Sequence, residues 1–338
     1  MIHLFHRLVI VAGFVLVAAA CGGDDATVDT AADDRPAVVV TTNILGDVVE
    51  ELVDDQAEVV VIMPIGADPH DFQASAREVD QINQADALIT NGAGFEEGLL
   101  DAVEAAEEDG VPGFEAISAV ATIEFGAGED HDEDHADEDH ADEDHEDDDH
   151  ADDDDHDHAA GGSDPHFFTD PNRMAEAAEA ITGFLIANVD GIDADALRLS
   201  ADDYIAELEA LDTEVAELLS GIDDHDRILV TNHEVFGYFA DRYGFEVVGT
   251  VIPGGSTADG ADARALSELA ATIEAEGVPA IFADTSSSND LAQTLAAEAG
   301  DIAVVELFSE SLSDEPDGNT YIAMVRTNAE RIAAALGT

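Results

Sequence analysis

Short β-branched runs alternate with longer stretches whose apolar positions recur every three or four residues, from Ala37 to the end of the chain. Ala37–Thr42 (A-V-V-V-T-T) is a continuous apolar run bounded by polar residues, which predicts a buried strand. Asn43 stands where it would cap a helix over Ile44–Val53. Glu58–Met63 and Ala87–Thr90 predict further strands, Arg77–Ala85 and Phe95–Glu108 helices, and Phe114–Ile117 a short strand. Pro171–Leu219 then breaks the alternation. It holds no Pro after its first residue, and Leu197, Tyr204, Leu208, Leu211 and Val215 recur at helical spacing. Gly191 is expected to interrupt it, giving one bent helix or two consecutive ones. After Gly221 the alternation resumes. Strands are expected over Arg227–Val230, Phe245–Val251, Ala280–Phe282 and Ile302–Val305, and helices over Val235–Arg242, Ala263–Glu276, Asp290–Ala299 and Asn319–Leu336.

Strands alternating with helices predict βαβ units and mostly parallel sheets. The expected fold class is therefore α/β: two lobes joined by a long helical segment. In such folds ligands bind beyond the carboxyl ends of strands and between lobes. The expected organisation is a leader at 1–21, a tether at 22–36, an N-terminal lobe at 37–170, a linking helix at 171–221 and a C-terminal lobe at 222–338.

The leader changes the expected location. Leu8–Ala20 is apolar but too short to span a bilayer as a mature helix, and it ends in Ala18-Ala19-Ala20-Cys21, similar to a bacterial lipoprotein cleavage box. Cys21 is the only cysteine, so it has no disulfide partner within the chain. Export followed by lipidation of Cys21 is expected, with plain secretion as the alternative. The protein would then sit at the cell surface or in the periplasm, held to the membrane by its lipid.

The charge changes the expected partners. The 338-residue chain carries a formal net charge of -70, and all ten of its basic residues are Arg. Such a surface repels nucleic acid and anionic lipid headgroups and attracts cations. Adaptation to a salty habitat or a genome-wide acidic bias is the expected main cause, with cation recruitment as a side effect. One stretch is more particular: Glu129–His158 holds only acids, three Ala and seven His, namely His131, His135, His140, His145, His150, His156 and His158. It cannot build a core, and its composition is that of a solvated, metal-attracting tract. His135, His140, His145 and His150 recur every five residues. On a helix that spacing would leave neighbours about 140° apart, so the tract is not a preformed ligand face. It reads as a low-affinity accessory collector, or else as a plain solvated insertion.

Four other positions fit the rule for ligand sites. His70 lies in I-G-A-D-P-H-D-F after the strand around Val60, and His166 in D-P-H-F-F-T-D-P before the long helical segment. His233 directly follows the strand ending at Thr231, and Glu310 follows the strand ending near Val305. A lone loop His is usually just solvated, and His225, among Asp223, Asp224 and Asp226, reads that way. Three imidazoles and a carboxylate together would complete a shell for a divalent transition metal.

In these motifs the chain resembles the metal-binding proteins of bacterial ABC importers for zinc and manganese, the ZnuA/TroA-like family of periplasmic solute-binding proteins. The resemblance runs from Val38 to about Ile332. It includes N-G-A-G-F-E around Asn91, T-N-H-E-V-F-G-Y-F-A-D-R-Y-G-F around His233, and E-L-F-S-E-S-L followed by D-G-N-T-Y-I-A-M. It implies two lobes bridged by a long rigid helix, with the ion between them held by His70, His166, His233 and Glu310. The family commonly has Asp at the fourth position, so Glu310 is one methylene longer, and whether it or a water supplies the fourth donor stays open. The resemblance also implies a monomer that captures an ion outside the membrane and delivers it to a permease and its ATPase. Zn2+ is favoured over Mn2+, since imidazole suits it. Four protein ligands close the shell and argue for carriage rather than catalysis. Two alternatives are an extracellular metal buffer or adhesion protein without a transporter, and a zinc hydrolase using Glu234 as base.

Overall fold

The computed structural model describes residues 35–125, 162–257 and 263–337. Cys21 and the seven His of the acidic tract lie outside these residues. Among them no helix is long and apolar enough to cross a membrane.

The first lobe holds β1 (Ala37–Val40), β2 (Glu58–Val61), β3 (Ala87–Thr90) and β4 (Gly113–Glu115), with α1 (Asn43–Val53), α2 (Ala76–Asn83) and α3 (Leu100–Glu108) between them. The strands pair in parallel in the order β2-β1-β3-β4, with Val39 opposite both Val60 and Leu88. The period-two alternation of strands sorts side chains to two buried faces. Val38, Val40 and Ile89 turn toward α1, while Val39 and Leu88 turn toward Ile82 of α2 and Ala106 of α3.

The chain then runs through α4 (Pro171–Asn188) and α5 (Ala194–Leu219). The second lobe follows with β5 (Ile228–Thr231), α6 (Gly237–Tyr243), β6 (Glu246–Thr250), α7 (Ala263–Glu276), β7 (Ala280–Asp284), α8 (Asp290–Glu298), β8 (Ala303–Leu307) and α9 (Tyr321–Leu336). Its strands are also all parallel, ordered β6-β5-β7-β8. In both sheets the strand order reverses at the centre, between β1 and β3 and between β5 and β7. Those crevices are where open α/β sheets accept ligands.

The segment 171–221 is two helices. Gly191 sits at φ 92°, a conformation that glycine adopts freely, and Asp193 then caps α5 by accepting from Asp195 N and Ala196 N. The 26 residues of α5 span about 39 Å. It packs on α1 of the first lobe and on α9 of the second. One buried cluster runs from Val38 and Ile44 through Met174, Leu208 and Leu211 to Tyr238, Phe282 and Ile332, so both sheets share a continuous core. A core shared in this way makes the helical linkage rigid.

Two expectations shift in detail. Thr42, not Asn43, caps α1 by accepting from Leu45 N, which leaves the Asn43 amide for a different use. The helix expected from Phe95 begins as a short 3-10 turn at Glu97–Leu99, because Glu96 is drawn into the core. Its carboxylate accepts from the Thr41 hydroxyl at 2.6 Å and from Asn91 N at 2.5 Å.

Candidate metal centre

Both Asp-Pro-His triplets fold into the same local device. The Asp carboxylate accepts the His backbone N–H two residues on: Asp68 Oδ1 from His70 N at 3.0 Å, and Asp164 Oδ1 from His166 N at 2.9 Å. Proline between them has no N–H to compete. His233 sits two residues past β5, where the Thr231 hydroxyl donates to its carbonyl at 2.7 Å. Glu310 follows β8 in a loop fastened by Asn328, whose amide exchanges hydrogen bonds with Phe308 N (2.9 Å) and Phe308 O (2.6 Å).

These four side chains meet between the lobes, and all four are buried. The Nε2 atoms of His70, His233 and His166 lie 2.8, 3.0 and 3.3 Å from one oxygen, Glu310 Oε1. A tetrahedral shell of N and O donors at zinc distances has edges of about 3.3 Å. The three separations to Glu310 Oε1 equal or fall slightly short of such an edge. Its walls are aromatic, with Phe95 edge-on to His70 and His166 at 5.5 Å between ring centroids. Two buried polar atoms of the cluster, Glu310 Oε2 and His233 Nδ1, have no hydrogen-bond partner among the described residues. Buried groups of this kind call for a ligand or water, and a carboxylate oxygen beside three imidazoles fits a cation.

The remaining ring nitrogens are oriented from outside. His166 Nδ1 faces Asp164 Oδ1 at 2.8 Å, the carboxylate–imidazole arrangement that fixes the tautomer with Nε2 free to ligate. His70 Nδ1 faces Glu97 Oε1 at 3.2 Å. Burial drags the His70 pKa down, but the charge of Glu310, the hydrogen bonds to Glu310 and Glu97, and the charge of Asp68 outweigh burial and push it up to about 10. Burial likewise opposes protonation of His166, while Asp164 and Glu310 raise its pKa. Burial pushes the Glu310 pKa up, yet the three imidazoles hold it well below the usual carboxylate range. Asp284, at the end of β7, is raised by burial and by the Glu310 charge.

His70, His166, His233 and Glu310 are thus brought together as the sequence predicts. The exposed side chain of His225 stands apart, next to Asp226. Sequence reasoning missed Glu97, Asp284 and the separate jobs of the two triplet aspartates. The repeated D-P-H spelling was the one local signal for the last of these.

The profile of the family described as zinc-uptake complex component A periplasmic (ZnuA) matches residues 38–335. The chain belongs to that family. The match starts in β1 and ends in α9, so both sheets and the whole cluster of this ZnuA-family chain lie inside it. The zinc-binding protein TroA of Treponema pallidum is 29% identical over 316 residues, covering 91% of each chain. The manganese-binding lipoprotein MntA of Halalkalibacterium halodurans is 24% identical over 323 residues, covering 95% of each. The solved structure of the periplasmic zinc-binding protein TroA from Treponema pallidum superposes with a TM-score of 0.73 at 25% identity, covering 90% of this chain and 100% of that one.

Proposed function

We propose that this chain captures zinc outside the cytoplasmic membrane and delivers it to the permease and ATPase of an ABC importer. The observation that carries the reading is the convergence of three buried Nε2 atoms on Glu310 Oε1 between two rigidly linked lobes. His70, His166, His233 and Glu310 are the ligands. With all four bound the shell is closed, no position remains for an activated water, and the chain carries its ion rather than transforming a substrate. Named relatives support this: one is a zinc-binding protein, another a manganese-binding lipoprotein. The protein acts as a monomer, tethered by a lipid on Cys21, with the lobes bounded at 37–170 and 222–338.

Manganese is the second reading, favoured by the unpartnered Glu310 Oε2, which offers a fifth donor and a second oxygen. Manganese takes more oxygen ligands than zinc does. Competitive titration of the mature protein with Zn2+ and Mn2+ separates the two. Zinc should bind more tightly, and His70→Ala and Glu310→Ala should each lose tight binding. Undiminished affinity in His70→Ala would overturn the site.

A further inference from the structure

Asn43 stands at the first turn of α1, freed from capping by Thr42. Its buried amide reaches across the cleft between the lobes. Asn43 Oδ1 accepts from Leu312 N at 2.7 Å, and this fixes which way the amide faces. Asn43 Nδ2 then donates to Pro64 O at 3.2 Å within its own lobe and to Ser311 Oγ at 3.0 Å in the other. Ser311 Oγ also accepts from Gly66 N at 2.7 Å and donates to Leu312 O at 3.1 Å. Every polar atom of the two side chains is used, and both side chains, with Leu312, are buried.

The placement matters because of what flanks it. Ser311 is the residue after Glu310, and Gly66 lies four residues before His70 in the loop between β2 and α2. Three hydrogen bonds therefore tie the Glu310 loop of the C-terminal lobe to α1 and the His70 loop of the N-terminal lobe. Among the described residues, the hydrogen bonds of the Asn43 and Ser311 side chains (to Met63, Pro64, Gly66, Leu312 and each other) include none to the four clustered side chains. Parting the lobes at this seam breaks all three bonds at once.

We propose that Asn43 and Ser311 are the positioning pair of the site: they set the reach of Glu310 toward the three imidazoles and control how fast a bound ion leaves. This rests on the reading of the cluster as a metal site. Groups that orient metal ligands typically change affinity about 10- to 100-fold when removed. Such changes fall mainly on dissociation.

The test uses the full mature chain. Zinc release into excess chelator is followed by stopped flow, and the visible absorption of the Co2+-loaded protein reports coordination geometry. Ser311→Ala should release zinc about 10- to 100-fold faster, bind it at a rate within about threefold of the parent, and shift the Co2+ spectrum. Asn43→Ala should do the same, and the double variant should be no worse than the more damaging single one, because both break one network. Should Asn43→Ala fail to fold, Ser311→Ala, which removes a single oxygen, decides alone. Release within twofold of the parent together with an unchanged Co2+ spectrum in Ser311→Ala would overturn the positioning role. A parent protein that binds neither zinc nor cobalt tightly would instead overturn the metal-site reading beneath it.

Discussion

The two triplet aspartates differ in how they use their second interaction. Asp164 Oδ1 serves both the backbone and the Nδ1 of His166, so it sets the tautomer as well as the turn. Asp68 serves the backbone of His70 with one oxygen and accepts the Thr257 hydroxyl at 2.6 Å with the other, while the ring falls to the partly exposed Glu97. Asp164→Asn should therefore weaken zinc binding by about 10- to 100-fold, and Glu97→Gln by less. Competitive titration of both variants tests this, and the reverse order would refute it. Protons follow from the same contacts. With the His70 pKa raised to about 10 from 6.5, its ring is protonated at neutral pH in the metal-free protein. Zinc takes the neutral imidazole, so capture at pH 7 must release protons, and affinity should climb as pH rises toward 10. Calorimetry in buffers of different ionisation enthalpy measures the count. Capture without proton release at pH 7 would contradict the assigned charge state.

At the scale of elements, the alternation of β-branched runs and helical stretches was legible because both sheets are buried on both faces. Val38–Val40 and Ile228–Val230 spell that burial in consecutive apolar residues. The four clustered side chains were legible because each follows a strand end or opens the helical segment, in a loop with few alternatives. What the sequence hid is tertiary. Asn43 looks like a cap, and Thr42 beside it is a serviceable one; the docking of Ser311, 268 positions away, decides between them. Glu96 opens an expected helix and instead fills a buried turn, because Thr41 and Asn91 need its oxygens. The approach of α6 to the His166 loop is similarly silent. A Cβ on Gly237, the first residue of α6, would lie 2.6 Å from Asp164 Oδ2 and 3.1 Å from Ile123 Cδ1. Gly237→Ala should displace that carboxylate and weaken zinc binding several-fold, with little loss of thermal stability, since the helix gains propensity from Ala. Unchanged affinity would mean that the Asp164 contact tolerates the shift.

At the scale of the whole molecule, the net charge of -70 sets repulsion against a small number of cross-links. Arg173 joins α4 to α6 through Asp241 at 2.9 Å, and Arg326 joins α9 to α5 through Glu214 at 2.8 Å. These contacts lie well inside the screening length of about 10 Å at 0.1 M salt, whereas most carboxylate repulsion acts over longer distances. Added salt therefore removes more repulsion than attraction. Raising NaCl from about 0.1 to 1 M should lift the melting temperature of the metal-free protein by about 5 °C, or about 3 kcal/mol for a chain of this size. The acidic tract contributes 20 of the negative charges, so deleting Glu129–His158 brings the net charge from -70 to -50 and should reduce that salt response. The fold provides for the deletion. Glu124 pairs with Ser163, Phe125 N donates to Gly162 O at 3.2 Å, and Asp164 N donates to Ile123 O at 2.9 Å, so the two flanks are already fastened together. The shortened chain would join them through Gly126-Ala127-Gly128-Ala159-Ala160-Gly161, a six-residue loop of small side chains. Asp164 stays in place behind His166, and none of the four clustered residues is removed. The truncated protein should thus keep one tightly bound zinc while losing the weak additional ions. Equilibrium dialysis counts both classes, and loss of the tight ion would show that the tract, rather than the buried cluster, is the principal site.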